Sequence, residues 1–301
     1  MRMKRAVSIS LGSTTRDKTV EINLLGETVR IERIGTNGDE AKARQMFREM
    51  DGKVDAFGVG GIDLGVHTPW KFYPLHSALK LVQDVKQTPY VDGSGLKETL
   101  EARVMQWVEQ KIGGEIQPKT AFLVAGITRY GMTESFIKAG YQCVFGDLMF
   151  GLDIPIAIRS MSSLNRTARI LMPIVGRMPL SMLYPTGEKQ EKVTPRYEKY
   201  YQGNTVTGGD FLYVKQHMPE DMRGKIIVTN TTTPADVEFL KQRGIKYLVT
   251  TTLNIEGRTF GTNMMEAALI AVAGRGRVLT NDELNTLIEK LDFEPQLQEL
   301  N

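Results

Sequence analysis

One cysteine, two tryptophans and three histidines are all that the 301 residues hold of the types that staple, anchor or ligate. The lone thiol, Cys143, can form no internal bridge and no cysteine-rich zinc site, which points to a reducing compartment. His67, His76 and His217 are widely spaced and form no metal motif, so no metal is assigned. Long apolar runs are missing too: stretches such as 267–273 fall far short of the ~20 residues that a membrane span needs. The basic start at Arg2, Lys4 and Arg5 leads into a short 6–11 run broken by Ser8 and Ser10, a strand pattern and not a signal-peptide core. An excess of one charge is lacking as well. Lys+Arg 38 against Asp+Glu 35 leaves +3, too little for a broad field that grips nucleic acid. The chain is therefore expected to be soluble and cytoplasmic, with a small-molecule partner, no nucleic acid and no membrane, and with a homo-oligomer left open.

What is present is a chain 41% hydrophobic in which β-rich runs alternate with helical stripes. Residues 19–25 and 28–34 flank Gly26-Glu27 like a hairpin. Ala43, Met46, Phe47 and Met50 fall at helical spacing, as do Ala78, Leu81, Val82 and Val85. Leu96, Leu100, Val104, Trp107 and Val108 predict one long helix. The alternation predicts an α/β fold of two lobes, each with a mainly parallel sheet covered by helices. Gly113-Gly114-Glu115-Ile116-Gln117-Pro118 breaks the periodicity and marks a boundary, giving lobes over 1–115 and 118–280 and a C-terminal helix and tail over 281–301. Thr233 before Pro234, and the Thr280 and Glu283 pair, are helix starts. The polar 184–203 stretch reads as a lid or excursion.

In parallel sheets ligands collect beyond the carboxyl ends of the strands, where loops meet helix N-termini. The run from Phe122 to Gly131 is strand, glycine turn and helix start, and Asp147 ends the next strand about 20 residues after the first glycine. That pattern suits a dinucleotide, with Gly126, Thr128, Arg129 and Gly131 at the phosphates and Asp147 on a ribose hydroxyl; the competing reading is an ordinary strand-to-helix turn. Asn230, Thr231, Thr232 and Thr233 form a second polar loop at a helix start, readable as ligand donors or as capping alone, and Arg258 accompanies a third. Asp63, Asp92 and Lys97 lie in glycine-rich segments that each follow a strand of the first lobe, and could exchange a proton, or could shape turns and face solvent. Cys143, in mid-strand, reads as a buried structural thiol.

The segments Val7-Ser8-Ile9-Ser10-Leu11-Gly12-Ser13, Asp51 to Gly58, Val91 to Lys97 and Val228 to Thr233 together resemble a bacterial family labelled quinate 5-dehydrogenase, over nearly the whole chain. The resemblance implies a Rossmann-like second lobe, NAD or NADP as cofactor, and hydride transfer to or from a small polyhydroxylated carboxylate such as quinate or shikimate. It implies Lys97 as the catalytic lysine by position. The Asn-Thr-Asp block of that group has no match before Pro118, so Asp63 or Asp92 would take its place. Two other classes stay open: a non-catalytic nucleotide- or phosphometabolite-binding regulator, and a non-redox transferase or ligase.

Overall fold

The computed structural model describes residues 3–184, 193–252, 254–255 and 258–301. The chain divides into two compact units. The first comprises residues 3–96, 171–184 and 261–293, the second 97–170, 193–260 and 294–301. The α/β class expected from the alternation holds in both. The expected boundaries do not, because the division falls at 96/97 and the chain then returns to the first unit twice. Residues 185–192, the centre of the expected lid, lie outside the described residues.

The first unit is built on strands β1 (Lys4–Ser10), β2 (Lys18–Leu24), β3 (Glu27–Gly35), β4 (Ala56–Gly60) and β7 (Tyr90–Val91), with a small hairpin of β5 (Gly65–Thr68) and β6 (Lys71–Pro74). The main sheet has the order β2-β3-β1-β4-β7, parallel except for β2, which pairs antiparallel with β3 as the hairpin pattern predicted. The unbroken apolar character of β4, buried at every position, is what a strand covered on both faces requires. One cover is helix Thr262–Ala273, which packs on β1 and β4 with nine of its residues buried. Its apolar surface runs nearly all the way round, as a helix covered on most sides requires. It was expected in the second lobe, and it belongs to the first.

The second unit has β8 (Thr120–Leu123), β9 (Gln142–Phe145), β10 (Val206–Gly209), β11 (Ile226–Thr229) and β12 (Tyr247–Thr250), then the short pair β13 (Asn254–Ile255) and β14 (Arg258–Thr259), and β15 (Gln296–Glu299). The order is β15-β12-β11-β10-β8-β9, parallel except for the edge strand β15. Counted along the chain, the parallel strands of this sheet run 2-1-3-4-5, and those of the first unit run 2-1-3-4. This is a doubly wound order, and its strand direction of travel reverses between β8 and β10 here and between β1 and β4 in the first unit. The long helix expected from Leu96 to Val108 is instead three pieces, Ser94–Glu98, a 3-10 turn Glu101–Arg103 and Val104–Ile112. The interruption lets Glu101 turn inward, where it is fully buried.

The core of the second unit gathers around Phe122, whose ring meets Tyr201 edge-on at 5.2 Å and stacks on Tyr200 at 5.5 Å. Phe211, Met218, Met222 and Leu248 complete the cluster. Truncating Phe122 to alanine removes a wholly buried ring that the surrounding aromatics cannot fill. Phe122→Ala is expected to cost about 3–5 kcal/mol, read as a lower urea midpoint at unchanged slope.

Candidate functional site

The reversal between β8 and β10 leaves a gap at the carboxyl ends of the strands, the place where doubly wound sheets hold ligands. The loop 124–129 leaves β8 on one side, and Asp210 follows β10 on the other. Gly209 sits at φ +142°, a conformation open to glycine and strained for other residues, and this turn aims the next side chain back toward the loop. Asp210 caps helix Phe211–Gln216 through Oδ1, which accepts from Leu212 N at 3.0 Å. Its Oδ2 accepts from Arg129 Nη2 at 2.6 Å and from Asn230 Nδ2 at 3.0 Å.

Arg129 is the centre of this arrangement. Its Nη1 donates to Glu101 Oε1, and its side chain is only 5% exposed. Thr251 Oγ1 donates to the same Glu101 oxygen at 3.4 Å, while Glu101 Oε2 has no hydrogen-bond partner among the described residues. Burial by itself would lower the Arg129 guanidinium; the two facing carboxylates outweigh that and raise it, so it stays charged. Asp210 is pushed up by burial and pulled below its ordinary range by Arg129, the Leu212 amide and the field of Lys97. The group is thus two cations, Arg129 and Lys97, facing two anions, Glu101 and Asp210, and Asp210 is its exposed end with a side chain 26% accessible.

Most of the residues expected to hold a nucleotide have another task. The amides of the glycine turn are filled from inside: Asp147 accepts from Ile127 N at 2.7 Å through Oδ1 and from Gly126 N at 3.1 Å through Oδ2. A diphosphate resting there would meet a carboxylate already in its place, so Asp147 serves the turn and not a ribose. Thr133 Oγ1 closes the other side of the turn by donating to Gly126 O at 3.0 Å, and Thr128 Oγ1 bonds Ala125 O. Gly131 is needed for close approach, since a Cβ there would lie 2.1 Å from the Lys97 carbonyl oxygen. Arg129, the expected phosphate ligand, is spent on its two carboxylates.

Thr233 is a cap: it and Asp236 form a capping box at helix Pro234–Gln242, and Asp236 also pairs with Lys215 at 2.7 Å. Asn230 ties Asp210 to β11 and accepts from Phe211 N at 3.2 Å, while Thr232 is buried and Thr231 is half-buried beside it. Arg258 lies on β14 opposite Ile255, and its side chain is outside those described.

The expected proton pair is divided between the units. Asp92 and Asp63 belong to the first, Lys97 to the second. Asp92 spends both oxygens on backbone, accepting from Leu64 N at 2.6 Å and Ser94 N at 3.0 Å, so it shapes the turn. Asp63 holds the Tyr184 hydroxyl, which donates to Oδ2 at 3.3 Å. Cys143 is buried in β9 and its thiol is pushed up to about 12, the inert state expected of it. His217 Nδ1 donates to the Thr194 carbonyl oxygen at 2.7 Å, and its ring lies tilted against Phe150. No group of metal-ligating side chains occurs among the described residues.

Sequence reasoning missed Glu101 and Asp210. The first sits inside what reads as one helical stripe. The second could have been found: Val206-Thr207-Gly208-Gly209-Asp210 is a short strand, a glycine turn and a capping acid, the same grammar as 122–131.

Two units of doubly wound sheet, one carrying a charge-balanced polar cluster at its strand reversal, define an α/β chain. The family described as "Domain of unknown function (DUF8754)" matches residues 95–300, and the chain belongs to it. A second, "Domain of unknown function (DUF8753)", matches residues 5–92. No curated protein matches the sequence. Among solved structures, the chain is similar to GanP, a glucose-galactose binding protein from Geobacillus stearothermophilus, at TM-score 0.42 and 11% identity, covering 99% of this chain and 98% of that one. It is similar at TM-score 0.38 and 13% identity to an ABC transporter solute binding protein from Burkholderia multivorans, with 100% of both chains covered. A periplasmic solute binding protein from Actinobacillus succinogenes with bound D-allose follows at TM-score 0.37 and 11% identity, over 98% and 97% of the two chains. The two family models, both of unknown function, take the place of the resemblance to quinate 5-dehydrogenases, and the oxidoreductase reading drawn from it is corrected. The Asp147 carboxylate in the glycine turn is the physical reason.

Two outcomes follow from the charges. Arg129→Met leaves Glu101 buried without its counter-charge and is expected to destabilise by about 3–5 kcal/mol, measured by urea unfolding. Burial raises the Asp147 carboxyl to about 6 from an ordinary 3.8, against the pull of the Ile127 and Gly126 amides. Its folded form holds the proton more tightly than its unfolded form, so its contribution is fully present below pH 3.8 and is lost as pH rises through about 6. Relative to Asp147→Asn, the parent protein should therefore lose on the order of 3 kcal/mol between pH 4 and pH 7; a constant difference would refute the assignment.

Proposed function

We propose that this chain binds a small, uncharged, hydroxyl-rich molecule of the carbohydrate or polyol class at the carboxyl edge of the second unit's sheet. The observation that carries the reading is the Glu101–Arg129–Asp210 chain of ion pairs beside Asn230 and Lys97. Its charges cancel one another, so a charged ligand would have to disturb a pairing already made, whereas hydroxyl groups can both donate to Asp210 and accept from Lys97 or an amide. Such groups gain charge-assisted hydrogen bonds at no cost in buried net charge. Preordered side chains also spare the ligand the cost of fixing them. Both Asp210 and Asn230 are held by backbone donors, Leu212 N and Phe211 N, so their remaining lone pairs and hydrogens are aimed before anything binds.

This reading requires no nicotinamide cofactor and no proton-transfer pair, and no redox step enters it. No helix among the described residues is long and apolar enough to cross a membrane. The buried single thiol accords with a cytoplasmic setting.

The test is a thermal-shift screen of the full chain against neutral hexoses, pentoses and cyclitols, with NAD, NADP and inorganic phosphate alongside. A ligand at about 100 times its Kd stabilises by about 2.7 kcal/mol, a shift of several degrees. Asp210→Asn keeps the helix cap but removes the charge, and is expected to weaken calorimetric affinity at least about tenfold. No shift with any neutral polyol, or an affinity unchanged in Asp210→Asn, would discard the reading.

A further inference from the structure

The loop 124–129 hangs on one carboxyl group. Gly126 N and Ile127 N both donate to Asp147, which stands 21 and 20 residues further along the chain, at the start of helix Asp147–Leu152. An ionisable group from one strand-and-helix step thus fixes the turn of the step before it. The other ties of the loop are Val124 N to Gly208 O at 3.0 Å, Thr133 Oγ1 to Gly126 O at 3.0 Å and Arg129 N to Ala125 O at 3.3 Å. Two positions past Ile127 stands Arg129, whose guanidinium holds Glu101 and Asp210.

Among the described residues, the groups bonded to the Asp147 carboxyl are all donors: the amides of Ile127 and Gly126, and its own. An ionised carboxylate only accepts, and suits them. A protonated carboxyl sets a hydrogen of its own against an N–H hydrogen, so one of the two turn amides must let go. We propose that Asp147 is a proton-operated catch: protonation frees one turn amide, loosens the loop 124–129 and with it the seat of Arg129, so that mild acid opens the cluster at the sheet edge. The consequence for a ligand rests on the function proposed above, while the loosening of the loop does not.

The residue is half-buried, so protons reach it from solvent. Burial pushes its carboxyl up to about 6 against the pull of the amides, which brings the change into the mildly acid range. The charged and titratable groups around it are engaged elsewhere. On helix Tyr130–Lys138, Tyr130 bonds Asn165 and Glu134 pairs with Lys138. Asp147 is the only charged residue of its own helix, and Asp153 at the far end pairs with Arg196. On β9, Cys143 stays neutral, its thiol pushed up to about 12. Arg129, raised by its two carboxylates, and Asp210, held below its ordinary range, keep their charges. His217, whose ring lies 5.3 Å from Phe150 on the Asp147 helix, is lowered by burial and also titrates in acid, so a variant must separate the two. Acid acts on the loop and on the whole chain with opposite signs. Protonation removes the cost of burying a charge, so the folded chain gains stability as pH falls through about 6, while the turn loses an acceptor.

Amide hydrogen exchange of the full chain is followed by NMR at pH 7.5 and at pH 5, corrected for intrinsic rates, together with exchange of the Arg129 guanidinium protons. Protection of Gly126 and Ile127 is expected to fall about tenfold at pH 5, with the Arg129 protons following, while the amides of β8 and β10 keep theirs. Asp147→Asn offers a single acceptor oxygen and should show the lower protection at both values; His217→Gln should behave as the parent. The measurement on the parent needs no variant, so it decides even if Asp147→Asn does not fold. The proposal is overturned if protection of Gly126 and Ile127 is the same at both pH values, or falls equally throughout β8 and β10. A dependence on pH that persists in Asp147→Asn, or vanishes in His217→Gln, overturns it too. These readouts involve no ligand, so they can fail while the ligand reading stands, and stand while it fails.

Discussion

A guanidinium taken out of water must find negative charge, and the carboxyl edge of the second unit is organised around that demand. Arg129 is buried, and Glu101 and Asp210 meet it from two directions. Each partner draws on a different part of the chain. Glu101 reaches it because the helix from 94 to 112 breaks into a 3-10 turn, and Asp210 because Gly209 bends the end of β10. Asn230 then ties Asp210 to β11. An ion pair of this kind contributes little net stability compared with apolar side chains of the same volume, and losing one member is costly. What it provides is a fixed set of donors and acceptors at the point where the strand order reverses.

Asp147 plays the same part for the preceding loop. The two amides that a phosphate would use are satisfied by a carboxylate of the protein itself, so the turn holds its shape with no ligand bound. A sequence with a glycine turn and an acid about 20 residues on is compatible with two opposite arrangements, the acid facing a ribose or the acid facing the turn. Spacing cannot tell them apart. The choice is made by the lengths of β9 and its loop, which here bring the carboxylate under Gly126. Thr233 is a similar case, since a threonine ahead of a proline-led helix serves as a cap whether or not anything binds nearby.

Local features were legible because they depend on neighbours in the chain. The hairpin of β2 and β3 and the helix starts at Thr233 and Thr280 follow from periodicity and caps within a few residues. The short strand β10 went unread. Two of its four residues are glycine, and glycine carries no β signal. With β10 went Asp210, and with Asp210 went the cluster.

The amino-acid sequence by itself determined the alternation of strands and helices, the α/β class and the places where helices start, since each of these is settled by short-range sterics and by the side on which apolar residues recur. Only the tertiary structure decided that the chain passes between its units several times, that the final long helix returns to the first, and that Arg129 faces carboxylates and not phosphate. Those outcomes depend on residues 28 and 81 positions from Arg129, brought together by sheet order, and no local pattern encodes such distances.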